Sequence, residues 1–365
     1  MQRWRTAAAA GAAVLAGVAT SARSADLPAA VRTAASADAD RPAIEVYVKS
    51  QVGKIASGQG AGVARDELAR QPEGNQNLAP SASFQGVYVQ AVNASITPLL
   101  TDKDVNKRLN AAIVVFRLAN ASKASQLAPV AQKLMEDPSS AVALWGVKTA
   151  GALLPGILAV KFNRDKQQLT KAIVASAKSH PEAGPLMQDA YNALYLPDQQ
   201  PALPRDAYGP AIDAMNELMA VRIAQYAKAV PPSPQAERIP PIFFVRTAVT
   251  SAMTPAQQMT TMQNLLDLLS VAAQQTAFAG GDQRDPLIQL VKNVAGSLRV
   301  TLDAQKQGVA AIKFQPISNI KDPIQTPALV KQVSDALNAV RAVPAFKALK
   351  DPPQVEAPPT TQAAE

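Results

Sequence analysis

The chain has 365 residues and a formal net charge of +8; 48% of its residues are hydrophobic, but only 4% are aromatic. It contains no cysteine and one histidine, which excludes a disulfide framework, the usual Cys/His zinc site and any metal site built on two histidines. Because the apolar content consists mainly of Ala, Leu and Val, and alanine is the strongest helix former, the composition predicts an all-α protein.

The N-terminal segment, positions 1–25, has the three parts of a secretory signal peptide. Arg3 and Arg5 precede an apolar run at residues 7–19, and small residues follow up to Ala25. The run is too short and too rich in alanine for a permanent membrane span, so we expect cleavage between Ala22 and Ala25. The alternative is an uncleaved N-terminal helix. Cleavage would lower the net charge from +8 to +5 and indicates a bacterial periplasmic or secreted protein.

Disorder is predicted for two segments, one at each end of the remaining chain. Residues 26–42 are polar and rich in alanine without a helical stripe, and we expect a disordered leader there. Residues 351–365 contain four prolines and hardly any large apolar residue. Such a tail buries too little surface to offset the entropy lost on ordering, so it is also expected to be disordered.

Helix starts recur between these ends. At four positions a capping residue stands directly before a proline, which suits the first helical position because proline lacks the N–H that would stay unbonded there. These capping residues are Asp137, Thr254, Asp285 and Thr326. Gln257 lies one helical turn after Thr254 and completes a capping box.

Apolar residues at helical spacing fill two regions, which a proline-rich stretch at residues 196–210 separates. Residues 43–196 are predicted to form short helices of about 14 residues. Residues 207–350 are predicted to form a bundle of longer helices, with an extended loop at residues 309–325 covering it. The fold prediction is therefore a helical-repeat half followed by a helical bundle.

An internal repeat supports the prediction for the first half. Asp104 and Asp137 occupy equivalent positions in two successive units, and the pair Ala112-Ile113 of the first unit matches Gly146-Val147 of the second. With the helix, turn and helix between them, these residues resemble the HEAT and armadillo class of helical repeats, over roughly residues 84–195. Arg108 matches the basic residue that the class has in its first helix, whereas Val142 occupies the corresponding position of the second unit. The resemblance implies a right-handed α-solenoid that binds partners without catalysis.

No motif assigns catalysis, a metal or a cofactor. His180 stands before a proline between two predicted helices, where a histidine favours the helix C-terminus. The glycine-rich residues 57–69 lack the Lys-Ser/Thr ending of a phosphate-binding loop, and no nucleophile elbow occurs. Catalytic and metal-binding residues and cofactors are therefore all predicted to be absent.

One basic stretch is the candidate binding site. Five cations stand against a single nearby acid, Asp165: Lys161, Arg164, Lys166, Lys171 and Lys178. On one edge of the repeat array they would hold an anionic envelope polymer or an acidic protein partner. The alternative is a solvated helix face. Nucleic acid is not predicted as a partner, because only Phe162 is interleaved as an aromatic residue.

Trp145 stands among small residues, and we interpret it as a packing residue between successive helix pairs. The sequence thus predicts an exported, non-catalytic binding or scaffold protein of helical-repeat type. Two alternatives stay open: a carboxylate-dependent hydrolase with its site between the two halves, and a structural component of a cell-envelope assembly.

Overall fold

The computed structural model describes residues 27–73, 79–160, 165–196, 203–231, 233–249, 252–304 and 326–356. The predicted signal peptide and the predicted loop at residues 309–325 lie outside these ranges. The protein is all-α, and the described residues contain no strand. Its helices are α1 Ala29–Thr33, α2 Arg41–Ser57, α3 Ala61–Arg70, α4 Ala82–Ile96, α5 Val105–Ser122, α6 Ala128–Met135, α7 Ser140–Ala159, α8 Asp165–Ser179, α9 Gly184–Tyr195, α10 Gly209–Tyr226, α11 Ile239–Val249, α12 Pro255–Gln275, α13 Gly281–Ala304 and α14 Thr326–Arg341.

Helices two apart in the chain pack against each other. One series of contacts joins α3, α5, α7, α9, α11 and α13, and another joins α8, α10, α12 and α14. Buried apolar residues form one cluster that extends from Leu27 to Leu349. The described parts of the two predicted regions therefore share a core. As predicted, α12 and α13 exceed 20 residues, whereas α5 and α7, with 18 and 20 residues, are longer than the expected short helices.

Helix α7 lies at the centre of the first half, in contact with α5, α6 and α9. Two of its glycines allow this packing. A methyl group on Gly146 would lie 2.7 Å from the backbone nitrogen of Met135, and one on Gly151 would lie 3.0 Å from the Cβ of Ala193. Among the described helices, α7 alone is long and apolar enough to cross a membrane, but 56% of the window that meets this criterion is buried inside the protein. Packing in the core accounts for its apolar composition.

The predicted helix starts have different outcomes. Thr254 forms the capping box with Gln257, and α14 begins at Thr326. Asp137 is not the cap of α7, whose N-cap is Ser139; its carboxylate instead accepts from the Ser139 backbone (2.8 Å) and from Arg108. The prediction for Asp285 is also wrong, because α13 begins upstream of it, at Gly281. A proline so near a helix start removes only one ladder hydrogen bond, so the helix tolerates Pro286.

Residues 27–42 are ordered, so the predicted disordered leader is wrong there. The segment contains α1, and Leu27 and Ala37 are buried in the core. Ser81, the N-cap of α4, donates from its backbone nitrogen to the Arg32 carbonyl (2.9 Å) and from its hydroxyl to the Ala34 carbonyl (2.6 Å). Two apolar side chains and these bonds fix the segment against α4.

Residues 350–356 form a segment that we call the strap, which lies along α12. Gln263 accepts from the Lys350 backbone nitrogen (2.8 Å) and donates to its carbonyl (3.3 Å). Gln274 accepts from the Val355 nitrogen (3.0 Å) and donates to the Pro353 carbonyl (3.4 Å). Gln263 and Gln274 are 11 residues apart on α12, which corresponds to a rise of about 16.5 Å along the helix. Their partners Lys350 and Val355 are five residues apart in an extended chain, which spans about 16 Å, so the two distances match.

The predicted disorder of the tail is therefore wrong for residues 351–356, whereas residues 357–365 lie outside the described ranges. The physical reason is that proline has no N–H and so needs no acceptor, and glutamine side chains supply the bonds that the other backbone groups require. The Glu356 nitrogen also donates to the Ala227 carbonyl (2.8 Å).

Candidate functional site

A groove of about 620 Å³ runs between α5, α7 and α9, and we refer to it as the three-helix groove. Small residues form its floor: Gly151, Ala152 and Gly156 from α7 and Ala193 from α9. The Gly151–Ala193 contact brings the two helix backbones together. At Gly156 no atom lies within 4 Å of the position that a side chain would take, so a ligand can approach the backbone of α7 closely there.

Pro155 lies inside α7 and lines the same groove. Because proline has no N–H, the carbonyl of Gly151 loses the donor that a regular helix would supply one turn later. The groove therefore includes the turn of α7 at which the regular hydrogen-bond ladder is interrupted.

Charged and amide side chains form the edges. Lys148 lies 3.4 Å from the carboxylate of Asp189 and 5.0 Å above the ring of Trp145. On the other side, Lys123 donates to the Asn120 side chain (3.0 Å). Burial lowers the pKa of Lys123, and no carboxylate among the described residues pairs with it. The edges thus offer one paired cation, one cation without a carboxylate, and amide groups.

Two edge residues have unfavourable backbone conformations. Lys123 (φ 52°) and Leu196 (φ 48°) lie in the left-handed region, where among the described residues only Ser233 joins them as a non-glycine. Hydrogen bonds fix the backbone of both residues. The Lys123 nitrogen donates to the Ala119 carbonyl (2.8 Å), and Arg246 donates to the Leu196 carbonyl (2.7 Å). Both residues are the C-caps of their helices, α5 and α9, where a left-handed residue commonly ends a helix. For a residue other than glycine this conformation costs about 1 kcal/mol.

Trp145 is half-buried beside the groove. Its ring lies 5.2 Å from that of Phe116, so it joins α7 to α5. This contact agrees with the interpretation of Trp145 as a packing residue. Because Phe116 and Lys148 both line the groove and both contact Trp145, the indole also supports one edge.

The five cations of the predicted basic edge lie in different surroundings. Lys161 and Arg164 lie outside the described residues. Lys178 forms an ion pair with Glu217, and Lys171 lines a cavity of about 150 Å³ together with that glutamate. Lys166 is half-buried near the start of α8. At the junction of α8 and α10, therefore, two of the predicted cations lie near a carboxylate rather than on a free positive surface.

A charged cluster is sealed inside the second half. Arg222 pairs with Glu237 through distances of 2.5 and 3.2 Å, and Tyr226 donates to the same carboxylate (2.9 Å). Burial raises the pKa of Glu237, although Arg222 opposes the shift. Both charged side chains are fully buried. Since no substrate can reach them, the cluster has a structural role.

Neither His180 nor any group of acids forms a metal site in the described residues. The Nε2 atom of His180 lies 3.1 Å from the Asp137 carbonyl, and the side chain is buried at the turn after α8. This agrees with the predicted position at a helix C-terminus.

Comparisons with protein-family models, with curated proteins and with solved structures found no match. The class that the structure defines is thus an all-α protein in which helices two apart are in contact. The sequence interpretation missed the groove residues, because they come from three separate helices. Pro155 inside an apolar helix was the signal available in the sequence.

Proposed function

We propose that this chain is an exported, non-catalytic binding protein and that the three-helix groove receives an extended segment of a protein partner. The floor of small residues, at the turn where Pro155 interrupts the ladder of α7, carries this proposal. A peptide backbone presents donors and acceptors at regular intervals, which suits a bare floor edged by amides. The volume is within the usual range for ligand sites.

The proposed architecture is an α-solenoid, right-handed as the HEAT resemblance implies. It is supported by the contacts between helices two apart, which continue from α3 to α14. Repeat proteins stack in this way and bind partners on the surface of one helix layer. The groove lies on such a layer, since α5, α7 and α9 belong to one series.

A protein partner is better supported than an anionic polymer. A polymer would need a continuous positive surface, but Lys178 is paired with Glu217, and Lys148 is paired with Asp189. The groove edges carry charges of both signs. The proposed location in the periplasm or outside the cell depends on the N-terminal residues 1–25.

The competing hydrolase would use two carboxylates. Asp213 and Glu217 line one cavity, but they stand one turn apart on the same face of α10. Residues at this spacing are side by side on a helix. A glycosidase instead needs carboxylates on opposite sides of the bond that it breaks, so this arrangement favours binding.

The test uses the chain's tryptophan content. A Trp4→Phe background leaves Trp145 as the single tryptophan, beside the groove. Peptides selected from a random display library against the full chain should change its fluorescence. Ala152→Phe, which fills the floor, should abolish this binding, whereas Ala94→Phe on the exposed face of α4 should preserve it. Selected peptides that bind both variants equally would refute the proposed groove function.

A further inference from the structure

The strap lies on a surface of α12 that binds a peptide backbone through two glutamine side chains. Gln263 uses both ends of its amide on one residue, because it accepts from the Lys350 nitrogen and donates to the Lys350 carbonyl. Gln274 accepts from the Val355 nitrogen and donates to the Pro353 carbonyl. We call Gln263 and Gln274 the glutamine clamp. Since an amide side chain carries both a donor and an acceptor, the clamp matches any extended backbone in this register.

The side chains of the strap contribute few contacts. None of its residues is buried, and four of them are exposed: Lys350, Asp351, Gln354 and Glu356. Val355 is the apolar residue of the strap that packs against the core, and Asp351 pairs with Arg341 of α14 (2.7 Å). The surface therefore selects the side chain at two positions, an acid and an aliphatic residue, and otherwise binds the backbone.

Two prolines, Pro352 and Pro353, stand between these positions. They have no N–H that would need an acceptor, and they favour the extended conformation before binding, which reduces the entropy lost when the segment is ordered. The nitrogen of Gln354 has no hydrogen-bond partner among the described residues. The bound pattern is thus an acid, two prolines, one unspecified residue and an aliphatic residue.

From these contacts we infer that the glutamine clamp is a binding site for an extended, proline-containing segment of a protein partner, and that the strap occupies this site as an internal ligand. Backbone bonds of this kind do not distinguish the strap from another segment of the same pattern. The site is separate from the three-helix groove, which no residue of α12 lines. A tethered segment acts at an effective concentration of the order of millimolar, so a partner has to displace the strap.

The test uses the full chain with a disabled strap. Lys350→Pro/Val355→Pro removes both N–H groups that donate to the clamp, and circular dichroism verifies that the variant is folded. An acetylated, fluorescently labelled peptide with the sequence of residues 350–356 should bind this variant about tenfold more tightly than the unaltered chain, as measured by anisotropy. A second peptide, with glutamate for the aspartate and isoleucine for the valine, should bind as tightly as the first.

Matched variants locate the binding. In the strap-disabled chain, Gln263→Ala/Gln274→Ala should abolish it, whereas Gln283→Ala/Gln289→Ala, at exposed positions of α13, should preserve it. Methylating the peptide nitrogen of the valine should weaken binding about fivefold, because this N–H donates to the clamp, and methylating that of the preceding glutamine should not. Ala152→Phe, which fills the three-helix groove, should have no effect here, so the two sites are tested independently.

A measurement on the unaltered chain does not depend on the strap variant. A saturating concentration of the first peptide should accelerate hydrogen exchange in the strap, because the peptide displaces it. The proposal is overturned if neither peptide binds the strap-disabled chain, if only the first peptide binds, if binding survives the loss of both clamp residues, or if exchange in the strap stays unchanged at saturation.

Discussion

Arg108 binds Asp137 with two hydrogen bonds, from Nε to one carboxylate oxygen (2.7 Å) and from Nη2 to the other (3.1 Å). The guanidinium also donates to the Asp102 carbonyl (2.8 Å), and the Asp137 carbonyl contacts His180. The pair therefore connects three inter-helix turns, those before α5, before α7 and after α8. The bond to Asp137 raises the pKa of Arg108.

Removing this pair should destabilise the fold. Asp137→Ala leaves the mostly buried guanidinium without its carboxylate, and breaking such a pair costs about 3 kcal/mol. Chemical denaturation followed by circular dichroism measures the loss. The control is Asp335→Ala, which breaks the exposed ion pair with Lys331 and should cost under about 0.5 kcal/mol. Equal effects from the two substitutions would contradict the connecting role of Asp137.

Glycine-to-alanine substitutions at two sites should change the stability of the protein in opposite directions. Gly146→Ala places a methyl group against the backbone of α6, and overpacking of this kind costs about 1–3 kcal/mol. Gly53→Ala in α2 meets no atom within 4 Å, so the gain in helix propensity should stabilise the protein by about 0.5–1 kcal/mol. Differential scanning calorimetry should show one melting temperature falling and the other rising. A rise for both variants would refute the close approach of α6 and α7.

Trp145→Ala should lower stability by about 2 kcal/mol, less than for a fully buried tryptophan, because the side chain is only partly buried. Trp145→Phe keeps an aromatic contact with Phe116 and should cost less. Val300→Ala, at an exposed site on α13, serves as the control. If Trp145→Ala left stability unchanged but abolished peptide binding, the residue would belong to the binding site rather than to the packing.

The raised pKa of Asp267 predicts that the stability of the protein depends on pH. Burial raises its pKa from 3.8 to about 6, against the opposing effects of Gln263 and Arg341. Between these values the native protein holds a proton that the unfolded chain has released, so stability falls as pH rises from about 4 to 6. Asp267→Asn should therefore raise the melting temperature at pH 7.5 by about 2 °C.

At pH 4 the same substitution should have a smaller effect, because Asp267 is then neutral in the native state. Asp303→Asn, at an exposed acid on α13, should show no comparable difference between the two pH values. An identical effect of Asp267→Asn at pH 4 and pH 7.5 would show that ionisation of this carboxyl does not contribute.

Local chemistry made part of the fold predictable. Thr254 and Gln257 bond within one turn, so their spacing alone identified the start of α12. Asp285 followed the same rule and failed, because α13 begins at Gly281 and the rule does not include the residues upstream of the proline. The strap was missed for another reason: its hydrogen-bond partners, Gln263 and Gln274, are far from it in the chain and look like ordinary surface residues in the sequence.

The site was less predictable than the fold. The basic stretch is continuous in the sequence, but Glu217, which pairs with Lys178, belongs to a later helix, α10. Sequence proximity therefore could not reveal that Lys178 is paired with this carboxylate. The left-handed conformation of Lys123 has no sequence signal, because glycine or asparagine normally marks such a position.

The contacts between helices two apart have a mechanical consequence. Each of these helices contacts its second neighbour in the chain, so most inter-helix contacts join nearby elements, and the strap is the exception. A force applied to the ends would remove helices one after another from the termini. Both described ends are fastened: the strap, residues 350–356, onto α12 and Ala227, and residues 27–42 onto α4. Unravelling from either end should thus first break these terminal contacts, while the helices between them still hold together.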